Sequence, residues 1–178
     1  EGAPAGDFTH AADLIRFIKA QGDFCVGAAC YPEGHPESVS RQQDLDYLKA
    51  KVDAGADFLT TQMFFDNGIL YNFLFRALRK GIQVPVIAGI MPITDTKLLK
   101  RTVQLSGAAL PPRFAAIADR FWDDPKAMAQ AGVAFATEQI IDLIANGVNH
   151  IHLYTMNKPW ITRAIVNNLS EILGHAAL

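Results

Sequence analysis

The sequence predicts an α/β fold built on parallel strands, and three observations carry that expectation. Short apolar runs alternate with amphipathic stretches along the chain. The runs are strand-length and almost free of charge, as parallel strands covered on both faces are. Polar and aromatic residues gather where each run ends. With 178 residues, 50% of them hydrophobic, the chain is long enough for one globular domain with a sizeable core.

The elements follow in order. "THAADLIRFIKAQG" has Leu14, Phe17 and Ile18 at helical spacing and Gly22 near its end. "FCVGAAC" (24–30) is the first strand. "SRQQDLDYLKAKVDAG" (40–55) is an amphipathic helix with Ser40 as N-cap, Leu45, Leu48 and Val52 as its core stripe and Gly55 as its stop. "DFLTTQMFF" (57–65) is a strand, and "NGILYNFLFRALRKG" (67–81) a helix whose basic end suits a C-terminus. "VPVIAGI" (84–90) is the third strand. A helix is expected over 95–107, broken by Pro111 and Pro112, then two more in "PRFAAIADRFWD" and the Ala-rich "DPKAMAQAGVAFATEQIIDLIANG". "HIHLYTM" (150–156) is the last strand and "KPWITRAIVNNLSEIL" (158–173) the closing helix, with Pro159 in its first turn.

Four strands are too few to close a parallel barrel, which takes about eight. The residues alone leave two architectures open: a small open doubly wound domain, or the second half of a (β/α)8 barrel. Both place their sites at the C-terminal strand ends.

Composition narrows the function classes. A net charge of −2 offers no broad basic surface for nucleic acid or anionic lipid. The longest apolar runs are interrupted by Gly, Pro or charge, so no membrane span is expected. Cys25 and Cys30 fall on opposite faces of one strand and cannot bridge; two reduced core thiols fit a cytoplasmic protein. No histidine or cysteine set has metal-ligand spacing, and His150 and His152 read as core or surface histidines. Neither a dinucleotide fingerprint, a Walker loop nor a nucleophile elbow is present.

The strand ends supply Tyr31 to His35, then Thr61 and Gln62, then Gly89 to Pro92, then Tyr154 to Lys158. Rings, an amide, an imidazole and an ammonium on one rim suit a planar, hydrogen-bonding ligand. Asp44, Tyr47 and Lys51 share one face of the following helix, as a solvated flank or as a wall for ribose and phosphate. From the residues alone, no reaction follows.

"AACYPEGHPES", "KVDAGADFLTTQMFFD", "AGIMPIT" and "HLYTMNKP" together resemble the methylenetetrahydrofolate reductase family, in order and over nearly the whole chain. The resemblance implies a (β/α)8 TIM barrel, of which residues 1–178 correspond to strands 5–8 with helices 4–8, the N-terminal half being absent. It implies FAD as cofactor, with NADH or NADPH reducing the flavin and the flavin reducing 5,10-methylenetetrahydrofolate to 5-methyltetrahydrofolate, in one-carbon and methionine metabolism. Tyr31, His35, Glu37 and Ser38 match the family's flavin-binding loop. Asp44 and Lys51 match FAD contacts on the next helix, and His10 and Ala11 a flavin-contacting pair that is often Tyr-Ala. Gln62 and Tyr154 match substrate contacts, and Lys158 stands where many members carry a folate-binding Arg. An amide suits Gln62's role because it offers donor and acceptor together.

In the family, the proposed acid glutamate follows the first strand and a flavin-side aspartate the fourth; "EGAPAGD" resembles the loop just downstream. No catalytic residue is therefore assigned in this chain, and the chain alone is expected to be inactive. Expected partners are the folate and nicotinamide substrates, a further copy of the chain, and the N-terminal half or an electron-transfer protein. The alternative expectation is a non-enzymatic half-barrel module that dimerises or binds a separate N-terminal half.

Overall fold

The computed structural model describes residues 7–97, 99, 102–103 and 108–176. It contains α1 (Ala11–Gln21), β1 (Gly27–Cys30), α2 (Arg41–Asp53), β2 (Phe58–Thr61), α3 (Asn67–Arg79), β3 (Val86–Ile90), α4 (Pro112–Arg120), α5 (Pro125–Ala145), β4 (Ile151–Leu153), α6 (Pro159–Asn168) and α7 (Ser170–Ala176). The helix expected over 95–107 lies largely outside the described residues.

Local chemistry accounts for the helix starts. Ser40 Oγ accepts from the Gln43 N–H at 3.2 Å and caps α2. Asp66 caps α3 through the Gly68 N–H at 2.8 Å. Asp124 accepts from two first-turn N–H groups of α5, with Pro125 behind it. The closing helix is two helices rather than one, α6 and α7, divided at Leu169.

The sheet is parallel throughout and runs β1-β2-β3-β4. This order has no reversal of direction, whereas a doubly wound sheet turns back at a switch point. Register places Ala28, Cys30, Leu59, Val86, Ala88, Ile90, Ile151 and Leu153 on one face. That face packs against Leu45 and Leu48 of α2, Leu70 and Phe73 of α3, Ile140 and Leu143 of α5, and Ile161 and Ile165 of α6. Leu59, Leu70, Ala88 and Leu143 are wholly enclosed. A second cluster beyond the strand ends seats Phe65, Met91 and Ile93 on Phe114 of α4 and Met128 of α5.

The opposite face departs from expectation. Burial alternates along β1, with Gly27 and Ala29 exposed, and His152 of β4 is exposed too. Phe58, Thr60 and Ile87 on the same face are only partly covered. The strands are therefore not covered on both faces; one face of this parallel sheet is open. The same holds at the β1 edge, where Leu14 and Phe17 of the expected α1 stripe are 41% and 50% exposed and Ile15 is the buried residue. Phe24 is 54% exposed beside them. Only Cys30 is a core thiol; Cys25 is exposed, and both are free.

Candidate functional site

The site begins with the loop after β1. Tyr31–Gly34 is a turn closed by the Gly34 N–H on the Tyr31 carbonyl at 3.0 Å, and His35–Ser38 a second, closed by the Ser38 N–H on the His35 carbonyl at 3.0 Å. Each has proline at its second position, where a fixed φ costs nothing, and Gly34 closes the first turn at a φ of 95°, a left-handed conformation that favours glycine. The two prolines and the glycine are thus the skeleton of a double turn. It presents Tyr31 and His35 ring edge to ring face, centroids 4.6 Å apart. The Glu37 N–H donates to His35 Nδ1 at 3.2 Å, which fixes the imidazole's orientation.

Below the loop lies α2. Asp44, 8% exposed, accepts from Ser38 Oγ at 3.2 Å, tying the loop's end to the helix. Lys51 Nζ donates to the Ala29 carbonyl of β1 at 3.0 Å. Burial pulls the Lys51 ammonium below its usual range, against the pull of Asp44 and Cys30. Burial likewise pushes Tyr31 up, with Asp44 adding to it, and drives the Cys30 thiol to about 12.

These residues share one cavity of about 570 Å³ at the β1 edge. Its wall includes His10, Ala11, Tyr31, His35, Glu37, Ser38, Asp44 and Lys51, brought together from α1, the loop and α2. Tyr47 lines it too, its ring 6.4 Å from that of His10. The sequence reading passed over Thr9, Asp13 and Arg16 on the same wall. Their only signal was position, in and next to the first turns of α1, whose N-terminus opens on the cavity. His10 makes no side-chain cap there, which leaves first-turn N–H groups for a ligand or water.

The other expected site residues stand at the C-terminal end of the open face. The Gln62 N–H donates to the Cys30 carbonyl at 2.7 Å, and Gln62 Oε1 accepts from the Met63 N–H at 3.0 Å. Tyr154 crosses β3 and donates from its hydroxyl to the Thr61 carbonyl at 2.9 Å. It can do so because Gly89 lies beneath its ring. The Gly89 N–H in turn donates to Thr61 Oγ1 at 2.8 Å. Tyr154 is pushed above the usual phenol range by burial first, then by Cys30 and Tyr31, so the rim and the cavity are electrostatic neighbours. His152 sits edge-on to Tyr154, centroids 4.6 Å apart.

Lys158 is not joined to this group by a hydrogen bond or ion pair among the described residues. It follows Met156 and Asn157, both at positive φ (49° and 59°), in a turn closed by its own N–H on the Thr155 carbonyl. Two successive left-handed residues without glycine hold the lysine at the start of α6 at a backbone cost. No group of three or more His, Cys, Asp or Glu is placed to hold a metal ion, and no helix is long and apolar enough to cross a membrane, among the described residues.

A sequence model of the Methylenetetrahydrofolate reductase family matches residues 2–170. The chain belongs to the methylenetetrahydrofolate reductase family. It is 41% identical over 157 residues to methylenetetrahydrofolate reductase 2 of Saccharomyces cerevisiae, covering 85% of this chain and 26% of that protein. It is 36% identical over 160 residues to 5,10-methylenetetrahydrofolate reductase of Escherichia coli K12, covering 90% and 54%. It is also 36% identical to methylenetetrahydrofolate reductase (NADH) 1 of Arabidopsis thaliana, covering 94% and 30%. The chain thus spans about half of the bacterial methylenetetrahydrofolate reductases and about a third or less of the eukaryotic ones. Its fold resembles that of a Clostridium thermocellum protein described as binding two copies of 5-methyl-5,6,7,8-tetrahydrofolic acid. The TM-score is 0.58 at 16% identity, over 87% of this chain and 56% of that one.

Proposed function

We propose that this chain is the strand 5–8 half, with helices 4–8, of a (β/α)8 barrel. In that barrel the β1-edge cavity holds FAD, and the open sheet face takes 5,10-methylenetetrahydrofolate and NAD(P)H in turn. The cavity carries the reading: a single wall gathers ring edges, a buried carboxylate and a half-buried ammonium around a helix N-terminus. Its volume lies within the usual range for small-molecule sites. The open face supports the barrel, since a parallel sheet is ordinarily covered on both sides. The exposed Leu14, Phe17 and Phe24 mark where a preceding half would pack.

FAD, when bound, supplies hydride transfer between the nicotinamide and the folate. The chain's own residues bind and orient. Lys51, desolvated and anchored on Ala29, offers a cation to a phosphate, and the first-turn N–H groups of α1 point the same way. Asp44 offers an acceptor to a ribose hydroxyl, and Tyr31 and His35 offer ring contact. Gln62 would pair with a pterin or carboxamide edge by donating and accepting at once. Tyr154 would close the rim beside it, and Lys158 would meet a folate carboxylate as a point charge. Neither cysteine is in a disulfide, which fits the cytoplasm proposed for the protein.

The experiment uses the protein that carries this chain together with the preceding half. It is expected to purify yellow and to oxidise NAD(P)H when given methylenetetrahydrofolate or a quinone; a colourless protein without that oxidation would sink the proposal. The open face and the apolar β1 flank favour one other reading, a non-enzymatic module closed by a second copy. A colourless, monodisperse dimer of the 178-residue chain would support that reading for this chain.

A further inference from the structure

A second cleft, which shares no lining residue with the first, lies between the start of α2 and the end of α3. It has a volume of about 420 Å³ and is lined by Arg41, Gln42, Leu45, Arg76, Arg79 and Lys80. Leu45 is buried, and every charged residue of the lining is a cation.

These cations are poorly neutralised. Among the described residues, Lys80 pairs with Asp46, while Arg41, Arg76 and Arg79 form no ion pair. Of the four other described arginines, Arg16 pairs with Asp13 and Arg113 with Glu138, while Arg120 and Arg163, on other helices, form no ion pair. The carboxylates that act on Arg41 and Arg76 from a distance are engaged by other donors. Glu33 accepts from the Ala109 N–H at 3.1 and 3.0 Å, and Asp44 from Ser38 Oγ. Arg76 is half-buried and, among the described residues, donates only to carbonyls, those of Asn72 at 3.3 Å and Pro32 at 3.4 Å. Burial first, and then the neighbouring charge of Arg41, pull the Arg76 guanidinium below its usual range, against the pull of Asp44. Like charges gathered round a concave, partly desolvated space are relieved by an anion that bridges them. Guanidinium forks match phosphate and carboxylate oxygens in pairs.

We propose that this cleft is a binding site for a small molecule carrying two or more phosphate or carboxylate groups. The spread of cations over two helices favours several charges over one. The site lies apart from the flavin reading and does not depend on it.

Calorimetric titration with inorganic pyrophosphate and, separately, with citrate tests the proposal at constant ionic strength, so that general screening is equal throughout. Wild-type protein is compared with Arg41→Gln/Arg79→Gln. Arg76 is left in place because it also holds the loop through Pro32. Binding in the millimolar range or tighter is expected for one probe or both, weakened about tenfold or more in the variant, since two charge-assisted contacts are lost. The probe that binds identifies the ligand as phosphate-bearing or carboxylate-bearing. Absence of binding for both probes, or equal binding by wild type and variant with matching melting temperatures, would overturn it. Should the double variant fail to fold, Arg79→Gln alone replaces it under the same criteria.

Discussion

At the residue scale, the site depends on small spaces as much as on polar groups. Gly89 is the clearest case, because a Cβ there would overlap the Thr61 carbonyl oxygen and press on the Tyr154 ring. Gly89→Ala is therefore expected to destabilise the protein by roughly 1–3 kcal/mol, as overpacking does; urea unfolding with the midpoint compared to wild type checks it. The thiols give a second residue-scale test. Burial drives Cys30 to about 12, with Lys51 opposing and Asp44 assisting, so almost none of it is thiolate at neutral or mildly alkaline pH. Cys25 is exposed. One thiol is expected to react with a colorimetric disulfide reagent in the native protein and two after denaturation; two fast thiols in the native state would contradict the packing of β1.

At the scale of elements, α3 and α5 are clasped by a polar cluster that no periodicity announces. Tyr71 Oη donates to Asp142 Oδ2 at 2.8 Å, and Asn67 Nδ2 to the same oxygen at 2.6 Å. Those donors hold the Asp142 carboxyl below its usual range. A carboxylate with a depressed folded-state pKa stabilises fully above its unfolded value, and that stabilisation fades as pH falls through the folded value. Tyr71→Phe is expected to cost about 1 kcal/mol at neutral pH, the net worth of one such hydrogen bond. The difference from wild type should shrink in acid, once Asp142 is protonated, and denaturation at two pH values reads it. A cost unchanged in acid would show the hydroxyl acting elsewhere.

The elements also show what could be read ahead of the structure. Ser40 and Pro159 marked helix starts correctly, because a cap and an N1 proline are local chemistry. The strands came out shorter than their apolar runs: Met63, Phe64 and Phe65 leave the ladder yet remain wholly or partly buried, since the second cluster receives Met63 and Phe65 and the main core receives Phe64. Leu14 and Phe17 matched a helical stripe, but periodicity identifies a face without saying what covers it. The clefts were less legible still. Arg41 and Arg79 are far apart in the chain, and only the packing of α2 on α3 brings them to one cavity.

At the scale of the whole molecule, the fold is a sheet with one finished face and one open one. The finished face holds the core. The open face carries the rim of Gln62, His152 and Tyr154, and the cavity at its β1 edge gathers the loop, α1 and α2. The family resemblance named the expected cavity residues one by one, His10, Ala11 and Asp44 from outside the most similar stretches, and chain order alone gave no hint that α1 would bring His10 and Ala11 to the same wall.

FAD titration of the protein that carries both halves tests whether this wall holds the flavin, as proposed. Tyr31→Ala and His35→Ala should each weaken FAD binding about tenfold, the scale of one lost aromatic contact, with little change in melting temperature. Unchanged FAD affinity in both variants would contradict the claim and leave Tyr31–Ser38 as a stiff double turn.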